Sequence, residues 1–297
     1  MLGGPAMVLK LKFLEAENEA NSLIQRLNIT SLPVSPFYIA KEYEIEVQPK
    51  DSDKPGVSGF LMRQGDSFGI MYATHIRNEG FIRFTVAHEL GHYFLPEHPE
   101  YLFPNGDGIH MSRSGFISND TCEKQADHFA KSLLMPDNLF LTALREAGEG
   151  FVALKSLATK CKTSITATAI RFTQLTEDPV AVIMSSGNKV DWCFVSEALT
   201  QIKNLQWLNK GSLIPPSSAT AEFNQNQTNV LQGKQAEAWT HLDDWFDKAP
   251  RVEMKEDVVG LGSYRKTLTV LFTSDVIDSE EDDYLEIGDE DRGWKWK

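Results

Sequence analysis

The stretch FTVAHELGHYFL, residues 84–95, decides how the rest of this chain is read. It holds His88-Glu89-Leu90-Gly91-His92, two histidines four apart with a glutamate directly after the first. On an α-helix, residues four apart lie about 40° apart around the axis and about 6 Å apart along it. His88 and His92 therefore face the same way, near enough for both imidazoles to reach one ion. Glu89 stands about 100° round, at the edge of that site. Two His ligands beside a carboxylate that can take a proton from water form the arrangement of a zinc hydrolase. The plainer reading is a core helix with two incidental histidines, and the flanks oppose it. Phe81, Ile82, Phe84, Val86, Leu90 and Phe94 leave the segment apolar almost all round, as in a buried helix. Buried polar groups without partners cost about 1–3 kcal/mol each, so these three must find some. Gly91, mid-helix, costs about 1 kcal/mol against Ala and would serve to let a neighbouring element come close.

A third ligand is sought in TCEKQADHFAKSLLMP, residues 121–136. Wound as a helix, Glu123, Asp127, Ala130 and Leu134 fall in one stripe flanked by Ala126 and Leu133. Lys124, Gln125, His128, Lys131 and Ser132 make the opposite face, which reads as solvated. Two carboxylates on a buried face need a cation or several donors. The basic residues of the segment all lie on the other side, which leaves an ion held by His88 and His92 as the partner. Glu123 is assigned as the third ligand. Asp127, one turn on, is placed to accept the free N–H of a ligand imidazole and fix its tautomer. His128 points away.

Size and composition set the frame. The chain has 297 residues, enough for one large domain or two modest ones. Its net charge is −13, of which −7 sits in Ser274 to Lys297, with ten acidic residues against three basic ones. So acidic a chain is a poor nucleic-acid binder. The three cysteines, Cys122, Cys161 and Cys193, are odd in number and far apart, as in reduced thiols of a cytoplasmic protein. No apolar run is long enough for a membrane span, and the first twenty residues lack the apolar core of a signal peptide.

Along the chain, Phe13 to Leu27 reads as an amphipathic surface helix. Ser35-Pro36 starts a short helix to about Tyr43. Residues 44–48, EIEVQ, alternate as a strand. Val57–Arg63 and Phe68–Thr74 form a hairpin about Gln64-Gly65-Asp66-Ser67, and the second run, bordering the metal cleft, offers its edge to an extended substrate. Pro96 to Asn119 reads as a long connection carrying His98, Tyr101 and His110. Each could reach over the cleft as an oxyanion donor, His110 foremost.

FTVAHELGHYFL at 84–95 together with E-x-x-A-D-x-F-A-x-x-L-L-M-P at 123–136 resembles the ImmA/IrrE family of metallopeptidases. The resemblance implies that His88, His92 and Glu123 bind Zn2+ and that Glu89 is the general base. It also implies a protein substrate, a helix-turn-helix repressor cleaved in a regulatory or stress response. The expected fold is α+β. A zincin-like peptidase domain spans 1–150 and helix-turn-helix-like helices span 151–178. A smaller α/β domain follows over 179–274, where longer family members carry a GAF-like domain, and an acidic tail runs over 275–297. Within the second part, Leu154–Phe172 resembles a helix-turn-helix segment with Ser164 as a cap. Its second helix offers Ile165, Thr166, Ala167 and Thr168 where base-reading residues would stand, so it is expected to pack on the core. A hairpin is expected over Pro179–Val195 and a mobile loop over Lys210–Gln232. A helix is expected over Ala236–Phe246, a strand over Tyr264–Thr273, and disorder in the tail. Two other readings stand beside the peptidase: a non-proteolytic zinc-containing regulator that binds a repressor, and a DNA-binding factor acting through residues 151–175.

Overall fold

The computed structural model describes residues 5–51, 56–75, 78–113, 120–202 and 205–273, so the acidic tail lies outside the described residues. The chain opens with α1 (Pro5–Arg26), whose Ala16, Ala20, Leu23 and Ile24 are buried at helical spacing. In α2 (Pro36–Glu42), Pro36 takes the first helical position and Ser35 Oγ accepts from the Tyr38 amide. β1 (Glu46–Lys50) begins two residues later than the alternation at 44–48 predicts, because Glu44 takes a left-handed φ of 57° in the turn after α2. β2 (Val57–Gln64) and β3 (Ser67–Ala73) form the expected hairpin. α3 (Glu79–Phe94) starts where Asn78 Oδ1 accepts from the Phe81 amide.

Residues 96–119 are not one long connection. They include α4 (His98–Leu102) and β4 (Gly108–Arg113). β4 pairs antiparallel with β2 from Val57↔Arg113 to Arg63↔Gly108, giving the sheet order β1-β3-β2-β4. Pairing with β2 outweighs the poor local strand propensity of this segment, which is why its composition misleads. The topology also corrects the expected substrate edge. β3 is flanked by β1 and β2 on its two sides and has no free edge. The outer edge at the histidine cluster belongs to β4.

α5 (Thr121–Leu134) lies against α3 where Gly91 faces Ala126. A Cβ at Gly91 would sit 3.1 Å from Ala126 Cα, so the glycine sets how closely the two helices meet. The face of α5 read as solvated is covered by α1. Glu17 reaches His128 Nδ1 (2.9 Å) and Lys131 Nζ (2.8 Å), Phe13 stacks on His128, and Ser132 is fully buried. The partner that neutralises this polar face stands more than a hundred residues upstream, beyond any local pattern.

α6 (Asp137–Leu144), α7 (Gly150–Cys161) and α8 (Ile165–Leu175) follow, and Ser164 caps α8 by accepting from the Ala167 amide. α8 packs inward as expected. Ala169 and Phe172 are buried, and Arg171, its single basic residue, donates to Met135 O and Asp137. The hairpin β5 (Val180–Ser186) and β6 (Lys189–Val195) leads through α9 (Glu197–Thr200) into the second half. Lys210–Gln232 holds α10 (Ala219–Gln225) and α11 (Gln227–Leu231) rather than one loop. Ala236–Phe246 is mostly β7 (Gln235–His241), ending in the single turn α12 (Leu242–Trp245). β7 pairs with β8 (Glu253–Gly260) over seven residues, and β9 (Thr267–Phe272) completes an antiparallel sheet ordered β6-β5-β9-β8-β7. Cross-strand pairing again overrides a locally helical composition. The architecture is α+β, helical toward the N-terminus and sheet-rich toward the C-terminus. One hydrophobic cluster runs from Ala16 to Val270, with α7 and α8 between the metal-type helices and the second sheet. Among the described residues no helix is long and apolar enough to cross a membrane.

Candidate metal centre

The site is built from two helices and a strand. α3 supplies His88 and His92 from one face, α5 supplies Glu123 and Asp127, and β4 brings His110 over the top. His88 Nε2 and His92 Nε2 are 3.1 Å apart. Glu123 places one carboxylate oxygen 3.3 Å from His88 Nε2 and the other 3.3 Å from His92 Nε2. A tetrahedral ion with bonds of about 2.0–2.1 Å has ligand–ligand edges of about 3.3 Å. With the two histidine nitrogens 3.1 Å apart and a Glu123 oxygen 3.3 Å from each, His88, His92 and Glu123 are spaced to hold a zinc-type ion with a fourth position left over. Asp127 Oδ1 lies 2.8 Å from His88 Nδ1 and so fixes His88 with Nε2 turned to the trio. The four groups singled out in two separate stretches of sequence converge on one point.

Electrostatics follow from burial and contact. Burial works against ionisation of Glu123, yet hydrogen bonds from His110, His88 and His92 outweigh it and hold the carboxyl far below the usual range. Burial likewise disfavours a charged His88, but bonding to Asp127 and Glu123 raises it to about 10. Burial dominates at His92 and pushes it down to about 3. Metal binding at such a cluster competes with protons for the same ligand atoms.

Glu89 stands between this cluster and β2, its charge coupled to His88, His110 and Glu123. It is fully buried, and neither carboxylate oxygen makes a well-formed hydrogen bond among the described residues, the buried Ser112 hydroxyl being the donor that faces it. Burial raises its pKa, while the charge of His88, the Ser112 hydroxyl and the charge of His110 pull it back. Room for this carboxylate comes from Gly59, where a Cβ would collide with Glu89 Oε1 and lie 2.6 Å from Thr85 Cγ2. A lone glycine inside a predicted strand is the signal that could have marked this close approach.

The three residues expected to reach over the cleft separate. His110 Nε2 sits 3.0 Å from Glu123 Oε1, at the site. Tyr101 is exposed and reaches Asp120 instead. His98 is buried beneath His92, not over the cleft, with its Nδ1 3.1 Å from His92 Nδ1. It arrives there because Pro96-Glu97 reverses the chain after α3, Glu97 at a left-handed φ of 68°. His128 belongs to the α1 contact and takes no part.

A family model described as the IrrE N-terminal-like domain, Peptidase_M78, matches residues 40–173, which include every residue of this site. A solved structure titled Mycobacterium tuberculosis transcriptional regulator is similar in fold, at a TM-score of 0.54 and 12% identity, over 86% of this chain and 76% of that one. No curated protein matches the chain.

Proposed function

On the premise that residues 40–173 form an IrrE N-terminal-like domain of the Peptidase_M78 family, we propose that the chain is a zinc-dependent endopeptidase. The observation that carries this reading is the pair of histidine nitrogens 3.1 Å apart, each 3.3 Å from a Glu123 oxygen, beside a sealed Glu89. His88, His92 and Glu123 hold the ion, and Asp127 keeps His88 in the required tautomer. When bound, zinc supplies the Lewis acid that acidifies an attacking water and polarises a peptide carbonyl. Glu89 takes the proton of that water and delivers it to the leaving amine. A buried carboxylate whose affinity for a proton is raised by that burial suits this task. His110, beside Glu123 and above the cleft, is the donor for the oxyanion. The open edge of β4 suits an extended protein segment, which would add to the sheet through main-chain hydrogen bonds.

The substrate the family resemblance favours is a helix-turn-helix repressor, cut in the cytoplasm, where the three unpaired cysteines stay reduced. Incubating the purified protein with such a repressor should give a discrete cut that a chelator abolishes and added zinc restores. Tight repressor binding with no cut by zinc-loaded protein would favour the second reading, a non-proteolytic regulator. That reading draws on the fold likeness to a protein titled a transcriptional regulator.

A further inference from the structure

We propose that His98 is the positioning residue for His92: it accepts the His92 Nδ1–H and so fixes the tautomer that turns the His92 Nε2 lone pair toward the ion. The inference rests on the zinc site proposed above and adds a member to it. His88 and His92 are chemically equivalent ligands with the same need, an acceptor for the outer N–H, met by different elements. His88 has a carboxylate for its outer nitrogen, Asp127 from α5. The outer nitrogen of His92, a fully buried side chain, lies instead between His98 and Cys122. The partner found there is neutral, the Nδ1 of His98 at 3.1 Å, with the two ring centroids 5.2 Å apart.

The hydrogen positions follow from valence. A neutral imidazole carries one N–H and one lone pair, so a ring that offers Nε2 to a metal must carry its hydrogen on Nδ1. His92 therefore donates and His98 Nδ1 accepts, which puts the His98 hydrogen on its own Nε2. That nitrogen is sealed from solvent and makes no well-formed hydrogen bond among the described residues, while the Gln125 side chain is the further polar group facing the ring. Cys122 Sγ is the competing partner, 3.8 Å from His92 Nδ1, but a thiol is a weak acceptor. These same three side chains, His92, His98 and Cys122, also cluster tightly enough to hold a second ion. Such an ion would need the lone pair of His92 Nδ1, the nitrogen that must bear the hydrogen while Nε2 serves the first site. Shared use of His92 sets the two arrangements against each other.

The test measures zinc affinity by competition with a chromophoric chelator, and zinc stoichiometry, on the full chain. His98→Leu removes the acceptor. His98→Asn restores it, since Asn Oδ1 occupies the place of His Nδ1. Loss of such a partner costs about 10–100-fold in metal affinity. His98→Leu should lose zinc by that factor, His98→Asn should recover most of it, and Cys122→Ala should stay near wild type. Circular dichroism of the three metal-free variants reports whether each is folded. Wild-type affinity in a folded His98→Leu would overturn the inference, and so would an Asn variant as weak as the Leu variant. A Cys122→Ala variant as weak as His98→Leu would transfer the role to the thiol. Two zinc ions per wild-type chain, falling to one in His98→Leu, would make His98 a ligand instead. Wild-type protein that binds no zinc would sink the parent reading itself, and is thereby distinguishable.

Discussion

Each half of this molecule buries acidic side chains, and the two halves treat them in opposite ways. In the C-terminal sheet, Glu256 on β8 is fully buried and accepts from the Ala219 amide (3.1 Å), the Thr220 amide (2.7 Å) and the Thr220 hydroxyl (2.6 Å). Its neighbour Asp257 accepts from the Phe151 amide (2.9 Å) at the start of α7. Both carboxylates act as helix caps donated by a strand, and every lone pair used there fastens one element to another. Beneath β2, Glu89 is as deeply buried and makes no well-formed hydrogen bond among the described residues, the Ser112 hydroxyl being the donor that faces it, while the partners of Glu123 there are imidazoles. A satisfied buried acid is architecture. An unsatisfied one is kept for a proton or a cation that arrives from outside.

That contrast breaks first, if it breaks, at Glu89. Glu89→Gln should lower peptide cleavage by about 10²–10⁴-fold, the span of a lost general base. The same variant should keep its zinc and melt no lower than wild type, because Gln keeps an acceptor for the Ser112 hydroxyl and removes a buried charge. Undiminished cleavage, or a falling melting temperature, would class Glu89 with the structural acids. Glu256→Ala should do the reverse, leaving zinc binding unchanged and costing about 2–4 kcal/mol in urea unfolding as three donors lose their acceptor. An unfolding curve that matches wild type would show that those bonds are replaced by water at no cost.

Asp127 stands between the two classes, a partnered acid whose partner is a ligand. Asp127→Ala should weaken zinc by about 10–100-fold with little change in folding; full zinc retention would make it a purely structural contact. The smallest effect is expected at Glu17, on α1. Burial opposes its ionisation, but His128 and Lys131 prevail and lower its pKa from 4.5 to about 2. A lowered carboxyl contributes stability that is present above about 4.5 and is lost as pH falls toward 2. With its side chain 28% exposed, a contribution of about 1–2 kcal/mol is appropriate after screening. Glu17→Gln should therefore flatten the acid limb of stability against pH between 4.5 and 2 and leave the neutral plateau lower; an unchanged limb would place the acid transition elsewhere.

How much of this was legible beforehand varies residue by residue. His88, His92, Glu123 and Asp127 could be brought together on paper, since helical periodicity is local and two short helices carry all four. The Gly91 contact was legible for the same reason, as an unfavourable residue inside a helix that had to have a use. β4 was not, because Gly108–Arg113 becomes a strand only by pairing with β2, and its own composition reads as loop. β7 was lost in the same way. The solvated face assigned to α5 failed because its neutralising partner, Glu17, comes from the other end of the domain. His98 was seen as a candidate but placed on the wrong side of the site, since nothing local tells which way a chain turns after Leu95.

What the sequence determined by itself is the chemistry: which ligand types occur, at which helical spacing, and that a cation must reconcile them with an apolar surround. Those are short-range matters, set by 3.6 residues per turn and by the cost of burying charge. The tertiary structure alone decided the environment of each group. It put Glu89 against Gly59 with the Ser112 hydroxyl as the donor facing it, left the outer edge to β4 instead of β3, and brought His98 against His92. Such outcomes depend on contacts between segments far apart in the chain, where packing and strand pairing outweigh every local preference.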